Sequence, residues 1–224
     1  SKESYVSYFN SSNVENSENQ PETIWEINMN ATSGENPGIN NSLASFYESN
    51  GSKKRFLFTQ NFYSSFPTTD VRRSLFSTVN VPAQDDPKGV WIKKYIRNTS
   101  QGPFAQNVKI FRMSEAYLNK IEALVKLGNP SALAELNAFA ASRGGSLYTV
   151  ANIENVLNER RKEFFGEGQR FFDLKRNNLG FSKLTNCYSI VCSVPANDRL
   201  FVIPMPLREM NINTNMTQYP DWLN

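Results

Sequence analysis

Apolar residues fall into three regimes along the chain. Up to about residue 50 they are sparse, and Asn and Ser fill 20 of the first 50 positions. One apolar segment interrupts them: Thr23-Ile24-Trp25-Glu26-Ile27 alternates like a short strand. Residues 28–50 carry Gly34, Pro37 and Gly38 and predict a long ordered loop, because Leu43, Phe46 and Tyr47 give it side chains to bury. Residues 51–105 mix aromatics with breakers, in Phe56-Leu57-Phe58, Phe62-Tyr63, Phe66-Pro67 and Trp91 to Tyr95. Short strands, a helical turn around Asp70 to Phe76 and loops punctuated at Pro82, Pro87, Gly89, Gly102 and Pro103 are expected there.

From Phe111 the period becomes helical. Tyr117, Leu118, Ile121, Leu124 and Val125 mark one helix, which Gly128 stops. Asn129 is expected to cap a second with Pro130 at its first position; Ala132, Leu133, Leu136, Phe139 and Ala140 form its apolar face, and Gly144-Gly145 ends it. This pair reads as one tetratricopeptide-type hairpin. A lone hairpin cannot bury its face, so a partner element is required. A third helix is expected from about Asn152 to Phe165, with Ile153, Val156, Leu157, Arg161 and Phe164 inward. A short helix follows from about Arg170 and ends before Gly180. A strand is expected over Arg199 to Ile203, then Asn-rich coil to Asn224.

The totals narrow the function. At 224 residues, 39% hydrophobic and 20% charged, the chain has globular composition. No apolar run approaches the ~18 residues that span a bilayer. No secretory segment or lipid-attachment cysteine is visible at the N-terminus, and a start at Ser1 without Met suggests a processed or shortened chain. The net charge of +3 is scattered over Lys53-Lys54-Arg55, Arg72-Arg73 and Lys93-Lys94, which argues against nucleic acid as a partner. There is no histidine. That removes Ser-His-Asp and Cys-His catalysis, His-ligated metals and the usual neutral-pH proton shuttle, and no metal or cofactor is expected. Cys187 and Cys192 are either two unrelated loop thiols or a small disulfide clamping a hairpin. Six Asn-x-Ser/Thr sequons, beginning at Asn10, Asn30, Asn40, Asn50, Asn98 and Asn215, follow from the Asn- and Ser-rich composition.

Two constellations remain. The run from Ile153 to Arg176 interleaves acids, arginines and aromatics around Gly166 and Gly168. Arg160 and Glu163, like Asp173 and Arg176, are three apart and can pair on one helix face. A catalytic reading would use Glu159 with Glu163, or Glu167 with Asp173, as a glycosidase pair. Matched arginines depress carboxylate pKa values, the wrong direction for a general acid, so a structural ion-pair latch at a glycine elbow is preferred. The second constellation is aromatic: Tyr47, Phe62, Tyr63 and Phe66 lie in loop-rich sequence beside Asn, Arg or Ser. Such rings either stack on sugar C–H faces or anchor loops.

The ordered set of motifs carries a resemblance. It runs through Arg112-Met-Ser-Glu115-Ala-Tyr117-Leu with Glu122-Ala123, Leu127-Gly128-Asn129, Ala132-Leu133, Asn137 and Arg143-Gly144-Gly145. It continues through Glu159-Arg160-Arg161-Lys-Glu163, Glu167-Gly168-Gln-Arg170, Asp173-Leu174-Lys-Arg176, Phe201-Val-Ile203-Pro204, Glu209, Asn215 and Gln218-Tyr-Pro220. With Ile24-Trp25-Glu26 and Asp70-Val71-Arg72, it resembles the C-terminal part of the SusD/RagB family of outer-membrane lipoproteins over about residues 20–220. Gln169 departs from the pattern, where an aromatic or His is common.

The resemblance implies a mainly α fold of tetratricopeptide-like hairpins with a loop-rich region and a few short strands. One domain over 1–224 is expected, loop-rich over 1–110 and helical with the latch over 111–224. Family members are typically about twice as long, and their N-terminal half supplies the lipid anchor and much of the helical scaffold. The implied function is a non-enzymatic surface protein at the outer membrane. It would capture oligosaccharide or polysaccharide for a SusC-like TonB-dependent transporter; peptide binding on the same fold and a carboxylate glycosidase are the alternatives. Carried onto this chain, the candidate ligand residues are Tyr47, Phe62 and Tyr63, with Arg55 and Asn61 as polar partners. Trp25 and Trp91 are expected in the core.

Overall fold

The computed structural model describes residues 2–10, 20–29, 36–49, 53, 56–79, 89–183, 187 and 191–222. The chain divides into two compact units, Ser1–Gly168 and Gln169–Asn224. The expected loop-rich part, 1–110, falls within the first unit, and the expected helical part, 111–224, is divided between the two at Gly168.

The first unit opens with helix α1, Lys2–Asn10. The sequence reading missed it because the segment is polar overall. Tyr5, Tyr8 and Phe9, at helical spacing, are nonetheless buried. Strand β1, Thr23–Ile27, appears where alternation placed it. In place of the expected long loop stand two short helices, α2 over Gly38–Asn41 and α3 over Leu43–Tyr47. Next come α4 at Gln60–Ser64, capped by the Thr59 hydroxyl, and a 3-10 helix at Val71–Leu75. The Asp70 side chain caps the latter by accepting from Arg72 N at 3.0 Å, which explains the predicted turn.

Short antiparallel ribbons follow. β2 (Phe76–Ser77) pairs with β3 (Trp91–Ile92), and β4 (Asn98–Thr99) pairs with β5 (Gly102–Pro103). β6, Val108–Arg112, reaches back to β1. Phe62, Phe66, Leu75, Phe76, Val90, Ile92 and Phe165 build the aromatic-rich core, in which the rings of Phe76 and Phe165 stack at 4.5 Å. Trp91 is 2% exposed and belongs to the interior, as expected.

The helical hairpin comprises α5, Met113–Lys126, and α6, Ala132–Ser142. Gly128 ends α5 with φ +63°, a conformation that suits glycine. α6 begins later than Asn129 predicts, because the Asn129 carboxamide accepts from the backbone N–H and hydroxyl of Ser131 and holds a turn ahead of the helix. The required partner is α7, Ile153–Glu163, capped by Asn152 Oδ1 at 2.8 Å from Asn155 N. Leu118, Ile121, Leu136, Phe139, Val156 and Phe164 from this region form one cluster. Arg161, expected on the inner stripe, is exposed; Glu159, Arg160 and Glu163 take the buried side instead. Hydrophobic periodicity could not see this, because the inward face is charged.

The second unit begins with α8, Gln169–Arg176. β7 (Phe181–Ser182) and β8 (Ser193–Val194) pair antiparallel, and a Cys187–Cys192 disulfide closes the segment between them. Leu174, Val194 and Phe201 form its small core. The expected strand at Arg199 to Ile203 is a 3-10 helix at Arg199–Phe201, because Asp198 accepts from Leu200 N at 2.9 Å and starts a turn. The expected coil beyond it holds α9, Leu207–Ile212, and a 3-10 turn at Pro220–Trp222. Mainly α structure with short two-stranded ribbons is thus the architecture, as expected.

Candidate functional site

The most organised polar constellation is a buried charge cluster in the first unit. Glu163, at the end of α7, is its hub. Its carboxylate accepts from Arg112 Nη1 at 3.0 Å, from Arg143 Nε and Nη2 at 3.2 Å each, and from Arg72 Nη1 at 3.4 Å. Arg72 also grips Asp70 through Nη2 at 2.7 Å and Nε at 3.0 Å, and lies 2.8 Å from Glu159. Arg112 forks onto Glu167 with two contacts of 2.9 Å. At the rim, Glu22 meets Arg112 at 2.9 Å and Arg143 donates to the Ser114 hydroxyl at 2.8 Å. Paired planar forks of this kind need arginine, whose donors match both carboxylate oxygens.

Lys94 completes the cluster. Its ammonium lies 2.5 Å from Glu167 Oε1 and donates to the Glu163 carbonyl at 2.7 Å. The Phe165 and Phe9 rings lie 4.0 and 4.6 Å away. Burial pulls Lys94 down to about 8, against the opposing pull of Glu167. At Glu163, burial acts to raise the carboxyl, but Arg143, Arg112 and Arg72 outweigh it and hold the group well below the usual carboxylate range. α1 lies over the cluster, with the Arg143 guanidinium 4.3 Å from the Tyr5 ring and 5.0 Å from Phe139. Glu163 is 0% exposed.

The arrangement ties α7 to four distant segments and offers little acid–base chemistry: its hub carboxylate is kept ionised and sealed from substrate. The expected Arg160–Glu163 pair is not the one that binds Glu163. Arg160 Nη1 instead donates to Asn119 on α5 at 2.8 Å, and the guanidinium lies over the Phe164 ring at 5.2 Å. In the second unit Asp173 does pair with Arg176. The sequence had displayed Arg72, Arg112 and Arg143 within motifs, but nothing local joins them to Glu163; sequence separations of 20 to 91 residues hid the site.

The loop aromatics sit elsewhere in the same unit. Tyr47 is half-buried and its ring stacks on Tyr95 at 6.1 Å, with Phe56 at 5.4 Å. Phe62 is 6% exposed, packed edge-on to Phe66 and Phe76 within the core. Of its neighbours on α4, Asn61 is exposed, whereas half-buried Tyr63 packs against the core, its ring edge-on to Phe76 at 5.5 Å with the Arg73 guanidinium 4.4 Å from it. Phe58 links Tyr47 to Phe62 through ring contacts of 6.3 and 5.8 Å. Arg55 lies outside the described residues. Trp25, expected in the core, is instead 54% exposed on β1.

Residues 71–191, more than half the chain, match the model of the SusD family, and the match spans the Arg72, Arg112, Arg143 and Glu163 cluster. The chain belongs to the SusD family. It is 35% identical over 102 residues to the SusD-like protein P38 of Formosa agariphila, covering 39% of this chain and 20% of that one. A SusD superfamily protein of Bacteroides vulgatus superposes with a TM-score of 0.82 at 27% identity, over 98% of this chain and 49% of that chain. Surface glycan-binding protein A of Bacteroides thetaiotaomicron, in complex with laminarihexaose, superposes with a TM-score of 0.64 at 20% identity, over 91% and 53%. The chain therefore spans about half the length of these solved SusD-fold relatives and a fifth of P38.

Proposed function

We propose that this SusD-family chain is part of a non-catalytic, outer-membrane surface protein that captures oligosaccharide and passes it to a SusC-like TonB-dependent transporter. The observation that carries the reading is the family match, joined to the sealed state of Glu163. A relative of the same fold is seen with laminarihexaose. The carboxylate best placed to be a glycosidase acid is fully buried and held ionised by three arginines.

In this reading the ligand surface lies in the loop-rich part before β6. Asn61 and Tyr63 on α4 meet the sugar, an amide for hydroxyls beside a ring for C–H faces. Tyr47 extends the surface and Phe62 supports it from the core side, with Arg55 kept as a proposed polar partner. Calorimetric titration of the longest natural polypeptide with laminarihexaose and a broad oligosaccharide panel tests this. Binding without hydrolysis is expected, weakened at least about fivefold by Tyr63→Ala or Asn61→Ala. Silence across the panel would sink it. So would turnover abolished by a folded Glu163→Gln variant, which would restore the glycosidase reading.

A further inference from the structure

Three cations gather on α4 and the residues just after it. The Arg161 guanidinium lies 4.7 Å from the Phe62 ring, the Arg73 guanidinium 4.4 Å from the Tyr63 ring, and the Lys162 ammonium 5.8 Å from the Phe66 ring. Arg73 Nη1 also donates to the Phe66 carbonyl at 2.6 Å, which fixes that guanidinium beside Tyr63. Arg161 is exposed, and Arg73 and Lys162 are half-buried. Among the described residues none of the three is ion-paired to a carboxylate. The carboxylates of Asp70, Glu159 and Glu163, their neighbours in sequence, are buried and committed to Arg72, Arg112 and Arg143. Partial burial lowers the Arg161 pKa with nothing opposing it, whereas at Arg72, Arg112 and Arg143 carboxylates outweigh burial.

One basic side chain laid over a core ring is an ordinary surface feature, its stem covering apolar area and its head in water. Three on residues 62–66 are different, because like charges gathered there repel one another and favour an anion. Surface lysines on α5 are matched instead: Lys120 meets Glu135 at 2.7 Å and Lys126 meets Glu122 at 3.0 Å. We propose that the ligand met by α4 is an acidic oligosaccharide, its uronate carboxylate or sulfate ester held by Arg73, Arg161 and Lys162 beside Asn61 and Tyr63. Both groups present oxygens that accept from a planar guanidinium fork, and the lysine adds a point charge. The inference rests on glycan capture at α4 and adds the charge of the glycan.

Matched pairs test it, by calorimetry on the polypeptide titrated with the oligosaccharide panel. The pairs are an oligogalacturonate against its methyl ester, and a sulfated carrageenan oligosaccharide against its desulfated form. In one pair the acidic member should bind about tenfold tighter, the scale of a charge-assisted hydrogen bond. The pair that responds separates uronate from sulfate, and the difference should shrink as salt is raised. Arg161→Gln and Arg73→Gln, shown folded by near-ultraviolet circular dichroism, should each cut the preference at least about threefold. Arg161→Lys, which keeps the charge, should retain most of it. Equal binding within both pairs, or a preference unchanged in both glutamine variants, would overturn the proposal. So would poly-glutamate bound as tightly as the acidic sugar, which would mark a general polyanion or peptide contact. Neutral laminarihexaose bound through Asn61 and Tyr63, with no acidic preference, would sink this inference and leave α4 standing as a glycan surface. Silence with every sugar would remove both.

Discussion

Glu163 Oε1 lies 3.0 Å from Arg112 Nη1, joining the end of α7 to the end of β6 across 51 residues of sequence. The same carboxylate serves Arg72 and Arg143, and both Arg112 and Glu163 are buried. Removing the hub leaves three guanidiniums short of a counter-charge in a region where solvation cannot replace it. Glu163→Ala is therefore expected to destabilise the chain by about 3–5 kcal/mol, the range for breaking a buried pair from one side. Urea unfolding followed by circular dichroism measures this. A loss below about 1 kcal/mol would mean that the cluster is not the clasp of the first unit.

The same cluster sets a pH dependence with two arms. The unfolded chain protonates Glu163 near 4.5, whereas the folded chain does so only at much lower pH. Between those values the unfolded state binds more protons, so stability is complete above about 4.5 and falls as pH drops further. Lys94 acts at the other end. Its folded value of about 8 lies below the ordinary 10.5, so the unfolded state again holds the extra proton in that window and stability rises from pH 8 towards 10.5. Denaturation midpoints across pH 3 to 11 test both arms. Lys94→Met should flatten the alkaline rise and leave the acid arm in place; a rise that persists in that variant would assign it to another group.

The sequence made the hairpin of α5 and α6, the Asn152-capped α7 and β1 legible because each rests on local signals: periodicity, a cap, alternation. The Arg160–Glu163 pair was read with the same local rule and failed. Spacing of three residues permits a contact but does not rank it against arginines arriving from residues 72, 112 and 143. α1 was missed for a related reason: three aromatics at the right spacing were outvoted by polar neighbours. Trp25 was misplaced because simple alternation does not show the register shifts on either side of it, and its ring stands exposed beside Phe111. At the candidate ligand surface the sequence read Asn61, Phe62 and Tyr63 as loop residues, whereas they lie on α4 with Phe62 buried and Asn61 exposed; five residues carry too little period to show the helix or set its face.

Gly166 connects α7 to the Glu167 end of the cluster with φ +77°. A Cβ added there would stand 2.5 Å from Ile92 Cδ1, so alanine meets both a strained backbone and a filled space. Gly166→Ala should cost about 1–3 kcal/mol, and the displaced turn should loosen Lys94 and Arg112, which both hold Glu167. Gly168→Ala is the control. It shares a positive φ of +82° but meets nothing within 4 Å, so its cost should come from backbone strain alone and be the smaller of the two. Equal losses in the two variants would show that the packing against Ile92 contributes nothing.

The Cys187–Cys192 disulfide closes a short loop between β7 and β8. A loop this small restricts the unfolded chain only modestly, so Cys187→Ser with Cys192→Ser should cost about 2 kcal/mol. Among the described residues of the second unit the buried apolar cluster is Leu174, Val194 and Phe201, so the loss should be concentrated there. Hydrogen exchange by mass spectrometry on oxidised and doubly substituted protein separates the two regions. Faster exchange at residues 181–183 and 191–194 is expected, with protection of α5 and α7 unchanged. Equal deprotection of α5 and α7 would show that the disulfide supports the first unit as well, and that the small cluster around Phe201 is not where its stabilisation is felt.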